Sequence, residues 1–454
     1  MTGAAVGQLT HARVLGVAFP IVLSNATVPI LGAVDAGVVG QLGLAAPIGA
    51  VGIGAVILSA FYWMFGFLRM GTTGLASQAR GAGDTAEVAA LLSRGLLIGG
   101  AAGLALIALQ LPLFRLSFLL SPASAEVEGL ARSYLTIRIW SAPALICLYA
   151  INGWLIAAER TRAVLVIQLW MNGLNILLDL WFVLGLGWGV EGVAFATFLA
   201  EWSGLAVGLW FCRAAFRVPA WRDAGQVFDK ARLVHMASVN SDILIRSLLL
   251  QGMFISFLFL GADFGDVTLA ANHILLLFLE ITAYALDGFA FAAEAFVGAA
   301  LGARARAALR RAAMLTSLWG ALVCVMLAVI FALFGGAIVD VMTTAPDVRA
   351  ETRQYMWYMV LAPVVGVAAW MLDGIFIGAT RSRDMRNMMV LSLAVYLVAL
   401  ALLLPALGNH GLWLALLISF IARAVTLGWR YPALEAEADR PHRPGRVPLA
   451  PSSW

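Results

Sequence analysis

A chain of 454 residues that is 62% hydrophobic and only 12% charged departs from soluble globular proteins, in which about a quarter of residues are charged, and reads as an integral membrane protein. Its net charge of +4 comes from basic residues set in loops between apolar runs, which gives a membrane explanation and argues against a nucleic-acid partner. Cys147, Cys212 and Cys324 and the five histidines have neither metal-ligand nor redox spacing, so no metal and no cofactor is expected.

Windows of about 19 residues predict helices over 13–39, 47–70, 90–113, 130–157, 162–185, 190–212, 236–260, 267–300, 308–333, 352–378, 387–406 and 411–430. The first run lacks a small-residue cleavage site and leads into further apolar runs, so it is expected to remain as the first helix. Arg80, Arg160 with Arg162, the group from Arg213 to Arg232, Arg304 to Arg311 and Arg381 to Arg386 fall in alternate loops. Those loops, and with them both termini, are expected on the cytoplasmic side. The opposite loops are nearly free of Lys and Arg, with Arg115, Arg132, Arg349 and Arg353 as exceptions.

The chain repeats itself at an offset of 221 residues, which carries Asn152 to Arg162 onto Asp373 to Arg383, Gly81 onto Gly302 and Tyr134 onto Tyr355. Gly192 falls on Gly411 at 219. The expectation is an all-α polytopic membrane protein of 12 transmembrane helices in two parallel six-helix repeats. The boundaries expected are 1–212 for an N-terminal lobe, 213–235 for a basic linker, 236–434 for a C-terminal lobe and 435–454 for a disordered tail. Parallel halves about a central cleft are a transporter architecture, in which one half rocks against the other.

Asp35 is an ionisable group inside the first apolar run, where a charge is costly and marks a functional site. Upstream, Pro20 and Pro29 each remove a backbone donor and are candidate hinges. In the fifth helix Gln168, Asn172, Asn175 and Asp179 share one face. Asp35, Asp179 and Thr197 all lie about seven residues, or about 10 Å, in from the same ends of their helices. Two carboxyls, an amide and a hydroxyl are thus expected to converge in the N-terminal half. Two close carboxyls in a low-dielectric site cannot both ionise cheaply, so such a pair holds a proton; equally, its oxygens with backbone carbonyls or water would enclose a sodium ion. The eighth helix carries Glu280, Asp287 and Glu294 near one face. Of these, Asp287 is expected at the substrate cavity, while Glu280 and Glu294 are expected to pair with Arg246, Arg423 or Arg69.

The segments GAVDAGVVGQLG, RMGTTGLASQARGAGD, GWGVEGVAFAT, YALDGFAFAAEAFVGAALG and LDGIFIGATRSRDMRN resemble multidrug and toxic compound extrusion (MATE) transporters, in the DNA-damage-inducible F branch. The resemblance implies export of bulky cationic or amphipathic compounds, driven by a proton or sodium gradient through rocking of two lobes. It also implies that the first-helix acid is Asp35 and that the N-terminal polar cluster comprises Tyr134, Asn152, Asn175, Asp179 and Thr197. The reading is therefore a secondary antiporter, most simply a monomer in the inner membrane, with the proton preferred to sodium. Asp35, Asn175, Asp179 and Thr197 are assigned to coupling, and Tyr134, Asn152, Asn172 and Asp287 to the cavity. A lipid-linked oligosaccharide flippase of the same superfamily is the alternative, though its cleft calls for basic residues. A major-facilitator symporter is a second alternative. An enzyme is not expected, because there is no nucleophile-base pair, metal cluster or nucleotide-binding loop.

Overall fold

A computed structural model describes residues 8–120 and 124–439. Backbone polar groups in hydrocarbon must find partners within their own segment or a closed barrel, and the described residues form helices and no strand. Twelve helices among them are long and apolar enough to cross a membrane. They are α1 (His11–Gly40), α2 (Ala45–Gly81), α3 (Thr85–Ala108), α4 (Ala125–Ala157), α5 (Thr161–Gly185), α6 (Gly189–Phe211), α7 (Lys230–Ala262), α8 (Asp266–Gly302), α9 (Arg306–Met342), α10 (Pro346–Gly378), α11 (Ser382–Leu407) and α12 (Asn409–Glu437). Several run past the windows expected from hydropathy, since an apolar window stops at the first charges whereas backbone bonding does not.

The repeat is visible in how helices end. After α4, α8 and α10 the residues Glu159, Arg304 and Thr380 take positive φ of 58°, 55° and 50°. At these ends the paired bonds of a Schellman turn form, as in Glu159 N to Ile156 O at 2.9 Å and Arg160 N to Leu155 O at 2.8 Å. Its copy is Thr380 N to Ile377 O at 2.9 Å and Arg381 N to Phe376 O at 3.0 Å.

The chain divides into two compact units that interleave in sequence. The first comprises Leu23–Ala76 and Asp84–Lys230; the second takes in the chain up to Val22, Ser77–Gly83 and everything from Ala231 onward. This differs from a division at the linker, and the contacts give the reason. Within the second unit Arg311 Nε donates to Leu9 O at 2.8 Å, and Gln78 Nε2 donates to Gly378 O at 3.0 Å and to Thr380 Oγ1 at 2.9 Å. The repeat-related glycines Gly81 and Gly302 make the closest approach: a Cβ on Gly81 would lie 2.0 Å from Ala299 O, and one on Gly302 2.0 Å from Gln78 O. Backbone cannot give way as a side chain does, so Gly302→Ala is expected to cost about 1–3 kcal/mol of stability, read as a lowered unfolding midpoint of the purified protein. An unchanged midpoint would show that this packing relaxes freely.

The basic linker is held in the first unit by α3. Arg94, 1% exposed, pairs with Glu87 at 2.6 Å, and its Nε and Nη2 donate to Val227 O at 2.9 Å and Gln226 O at 2.6 Å. Ser93 Oγ donates to Trp221 O at 2.7 Å. The core of the first unit gathers Val39, Leu58, Leu135, Ile139 and Val193. The second is more aromatic, with Phe257 edge-on to Trp413 at 4.6 Å and Phe278 edge-on to Phe331 at 5.0 Å. At the end of the chain, α12 continues beyond the expected start of the tail at 435, because Glu435 is buried and accepts from Arg306 Nε at 3.1 Å and pairs with Arg310 at 2.7 Å. The rest of the expected tail, 440–454, lies outside the described residues.

Candidate functional site

The first unit builds its polar centre around a fault in α1. Pro29 has no N–H to return to the carbonyl four residues back, and the helix is interrupted at Thr27. There Thr27 N and Thr27 Oγ1 both donate to Ser24 O, at 3.2 Å and 2.7 Å. Asn172 Nδ2 in turn donates to Thr27 Oγ1 at 2.9 Å, and Gln168 Nε2 donates to Asn172 Oδ1 at 2.9 Å. Asn172, expected in a substrate cavity, is thus placed as the brace of the break. Of the two expected hinges, α1 runs unbroken through Pro20, and the interruption belongs with Pro29.

Downstream of the break Asp35 reaches α5. Its carboxyl lies within hydrogen-bonding reach of that of Asp179, which is fully buried. Turned with its nitrogen toward them, the Asn175 amide reaches Asp35 Oδ1 at 3.2 Å and Asp179 Oδ2 at 3.3 Å. Its oxygen then accepts from Thr197 Oγ1 at 3.0 Å and Thr197 N at 3.2 Å, so both ends of the amide are satisfied. Asp179 Oδ1 is buried without a partner. Immediately after Asp179 the helix widens into a π-helical turn over Leu180–Gly185, a departure that accompanies functional sites. The four residues expected to form one centre are therefore together. Two carboxyls this close satisfy one another only if one holds a proton, because an ionised carboxylate can accept and cannot donate.

A second pair beside them went unnoticed in the sequence. Arg138 on α4 donates to Glu201 on α6 through Nη1 at 2.6 Å and Nη2 at 3.1 Å. Nη1 also donates to Ser141 Oγ at 2.9 Å. Both residues are buried, and Arg138 stands within electrostatic reach of Asp35 and of Asp179. Tyr134, one turn earlier on α4, is buried and interacts with Arg138, Asp35 and Glu201. The signal was available, as two charges of opposite sign inside apolar windows are as anomalous as Asp35. Asn152 is not drawn in through its carbonyl, for Asn152 Oδ1 is buried with no hydrogen-bond partner.

The second unit repeats the scaffold without repeating the site. At the 221-residue offset Asp35, Asn175 and Asp179 fall on Ser256, Tyr396 and Leu400, and Ser256 Oγ lies 3.2 Å from Tyr396 Oη. Asp373, at the repeat position of Asn152, accepts through one carboxylate oxygen from both Arg246 and Arg423, all three buried. These arginines, expected to serve Glu280 or Glu294, are engaged by Asp373. Asp287 on α8 is half-buried and interacts with Tyr284.

The MatE family model matches residues 20–181 and 243–403, one stretch in each half of the repeat. The chain is 38% identical over 424 residues to the DNA damage-inducible protein F of Escherichia coli K12, covering 91% of this chain and 90% of that protein. It is 24% identical over 458 residues to a probable multidrug resistance protein NorM of Neisseria meningitidis serogroup A, covering 96% and 97%. The fold matches a crystal structure of the Vibrio cholerae MATE transporter VcmN in the bent form, with a TM-score of 0.84 and 21% identity over 94% of this chain and 98% of that one. A multi-pass helical membrane protein, built from two repeats and matched along nearly its whole length, this chain belongs to the MatE family of multidrug and toxic compound transporters.

Proposed function

We propose that the chain is a secondary antiporter of the inner membrane, with both termini cytoplasmic, that exports bulky cationic or amphipathic compounds in exchange for protons bound at Asp35 and Asp179. The observation that carries this reading is the buried carboxyl pair itself, bridged by the Asn175 amide, which Thr197 holds from its other end, and adjoining a break in α1. A proton suits it better than sodium. With the Asn175 nitrogen facing the carboxyls, the amide oxygen is spent on Thr197, so one of the oxygens a sodium ion would need is turned away. The half-buried Asp287 supplies negative charge for a cationic substrate in the second unit.

In this mechanism a proton arriving from outside neutralises the pair and weakens its hold on the Asn175 nitrogen. The α1 segment carrying Asp35, already short of a backbone bond at Pro29, then shifts about Thr27 and alters the cavity of its unit. Purified protein in vesicles loaded with cationic dyes distinguishes the coupling ions: dye movement is expected under an imposed proton gradient, and movement under a sodium gradient alone would overturn the proton assignment. The two acids are further expected to act as one centre. In a double-mutant cycle of Asp35→Asn and Asp179→Asn, the second substitution should add little to the loss of proton binding caused by the first. Losses that simply sum would separate them into two independent sites.

A further inference from the structure

The buried Arg138–Glu201 pair has no task in the mechanism above, and the fold does not require it. At the 221-residue offset of Tyr134 and Tyr355, Arg138 falls on Met359, and at the 219 of Gly192 and Gly411, Glu201 falls on Phe420. Met359 and Phe420 are each 1% exposed and belong to the apolar core of the second unit. The same two helix positions therefore pack with apolar side chains in one half and with a salt bridge in the other. Replacing a buried ion pair by apolar residues of similar volume is commonly neutral or stabilising, so packing alone gives no reason to keep two charges here.

The geometry points to a reason. Although Arg138 makes two bonds to Glu201, Arg138 Nε is buried with no hydrogen-bond partner, so the guanidinium is not fully spent on its partner. The charged and titratable groups that interact with it come from four other helices. They are Tyr62 from α2, Glu201 from α6, Asp35 from α1 and Asp179 from α5, with Tyr134 on α4 itself. Tyr149, also on α4, interacts electrostatically with Glu201. Within this set Arg138 is the cation that acts on both carboxyls. Tyr62 Oη donates to Arg138 O at 3.3 Å and Ser141 Oγ donates to the same oxygen at 2.7 Å, which holds the α4 backbone at this point.

We propose that Arg138 is the counter-cation of the Asp35–Asp179 centre and that Glu201 sets how much of its charge the two acids feel. The pair is thereby a positioning and tuning element: it fixes how readily the centre gives up its proton to the side on which drug is loaded. The inference rests on the reading of Asp35 and Asp179 as the coupling centre. It adds a residue pair that the second half of the repeat replaces with Met and Phe.

The test is an infrared titration of purified protein, following the protonated-carboxyl absorption as pH is varied. The Asp35→Asn and Asp179→Asn variants assign the band. Glu201→Gln leaves the guanidinium unbalanced, and proton binding by the acids should weaken about tenfold, a shift of about one pH unit to lower pH. The double substitution Arg138→Met with Glu201→Phe copies the packing of the second half and removes the cation. Its midpoint should lie above that of the unsubstituted protein, and further above that of Glu201→Gln. If Glu201→Gln does not fold, the double variant carries the test alone, with a midpoint above the unsubstituted protein expected. A carboxyl band that depends on Asp35 and Asp179 but titrates at one pH in every folded variant would overturn the counter-cation role and leave the coupling reading standing. A band that survives both asparagine substitutions would overturn the coupling reading itself.

Discussion

Gradient-driven export is expected to disappear in Asp35→Asn, while the protein still folds and inserts. Asparagine is nearly isosteric with aspartate and keeps one oxygen to accept a bond, so the packing around α1 survives; what goes is the group to which the proposed mechanism assigns proton uptake and release. An elementary charge moving down a potential of about 100 mV is worth about 2.3 kcal/mol, and a transporter unable to carry that charge has nothing to exchange for drug. Dye export by reconstituted protein should therefore fall to the level of empty vesicles, with binding of dye to the detergent-purified variant retained. Spin labels on α1 on either side of Thr27 supply an independent readout. The unsubstituted protein should exchange between two distances as pH changes, and the variant should hold one. Export by a well-folded Asp35→Asn protein at the rate of the unsubstituted one would sink the assignment, whatever the labels report.

Removing Asp373 is expected to have the largest effect on stability. Arg246 and Arg423 both donate to one oxygen of this carboxylate, and all three residues are buried in the second unit. Breaking a buried ion pair from one side leaves an uncompensated charge and costs about 3–5 kcal/mol, and Asp373→Leu leaves two. The variant should be recovered in poor yield and unfold well below the unsubstituted protein. Arg423→Met, which leaves Arg246 and Asp373 as a simple pair, should cost much less. Combining it with Asp373→Leu should restore part of the loss, because one of the stranded guanidiniums is gone. Thermal unfolding of the three purified variants orders them. Equal stability of Asp373→Leu and the unsubstituted protein would mean that other groups neutralise these arginines.

Several features could be read from sequence because they depend on local chemistry. Twelve helices follow from apolar runs that cannot leave backbone groups unpaired in hydrocarbon. Asp35, Asp179, Asn175 and Thr197 were legible as a centre because helical rise converts sequence position into depth, and four polar groups at similar depth in neighbouring helices have few other places to go. What hydropathy could not convey is which charges meet. Arg138 and Glu201 are 63 residues apart, and no periodicity within either helix links them. Only the packing of α4 against α6 closes their bond. Asp373 likewise has no local partner, and the fold brings Arg246 and Arg423 to it from α7 and α12.

The interruption of α1 lies between these cases. Prolines at 20 and 29 are equal in sequence, each lacking the same donor. The break forms at Thr27 because Asn172 on α5 stands beside it to bond the Thr27 hydroxyl. The sequence by itself determined the helices, their repeat and the carboxyls inside them, because each is set by the free energy of placing a residue at a given depth. The tertiary structure decided the boundaries of the compact units, the partners of the buried charges and the place at which α1 is interrupted. These depend on distances between segments far apart in the chain, which no local pattern encodes.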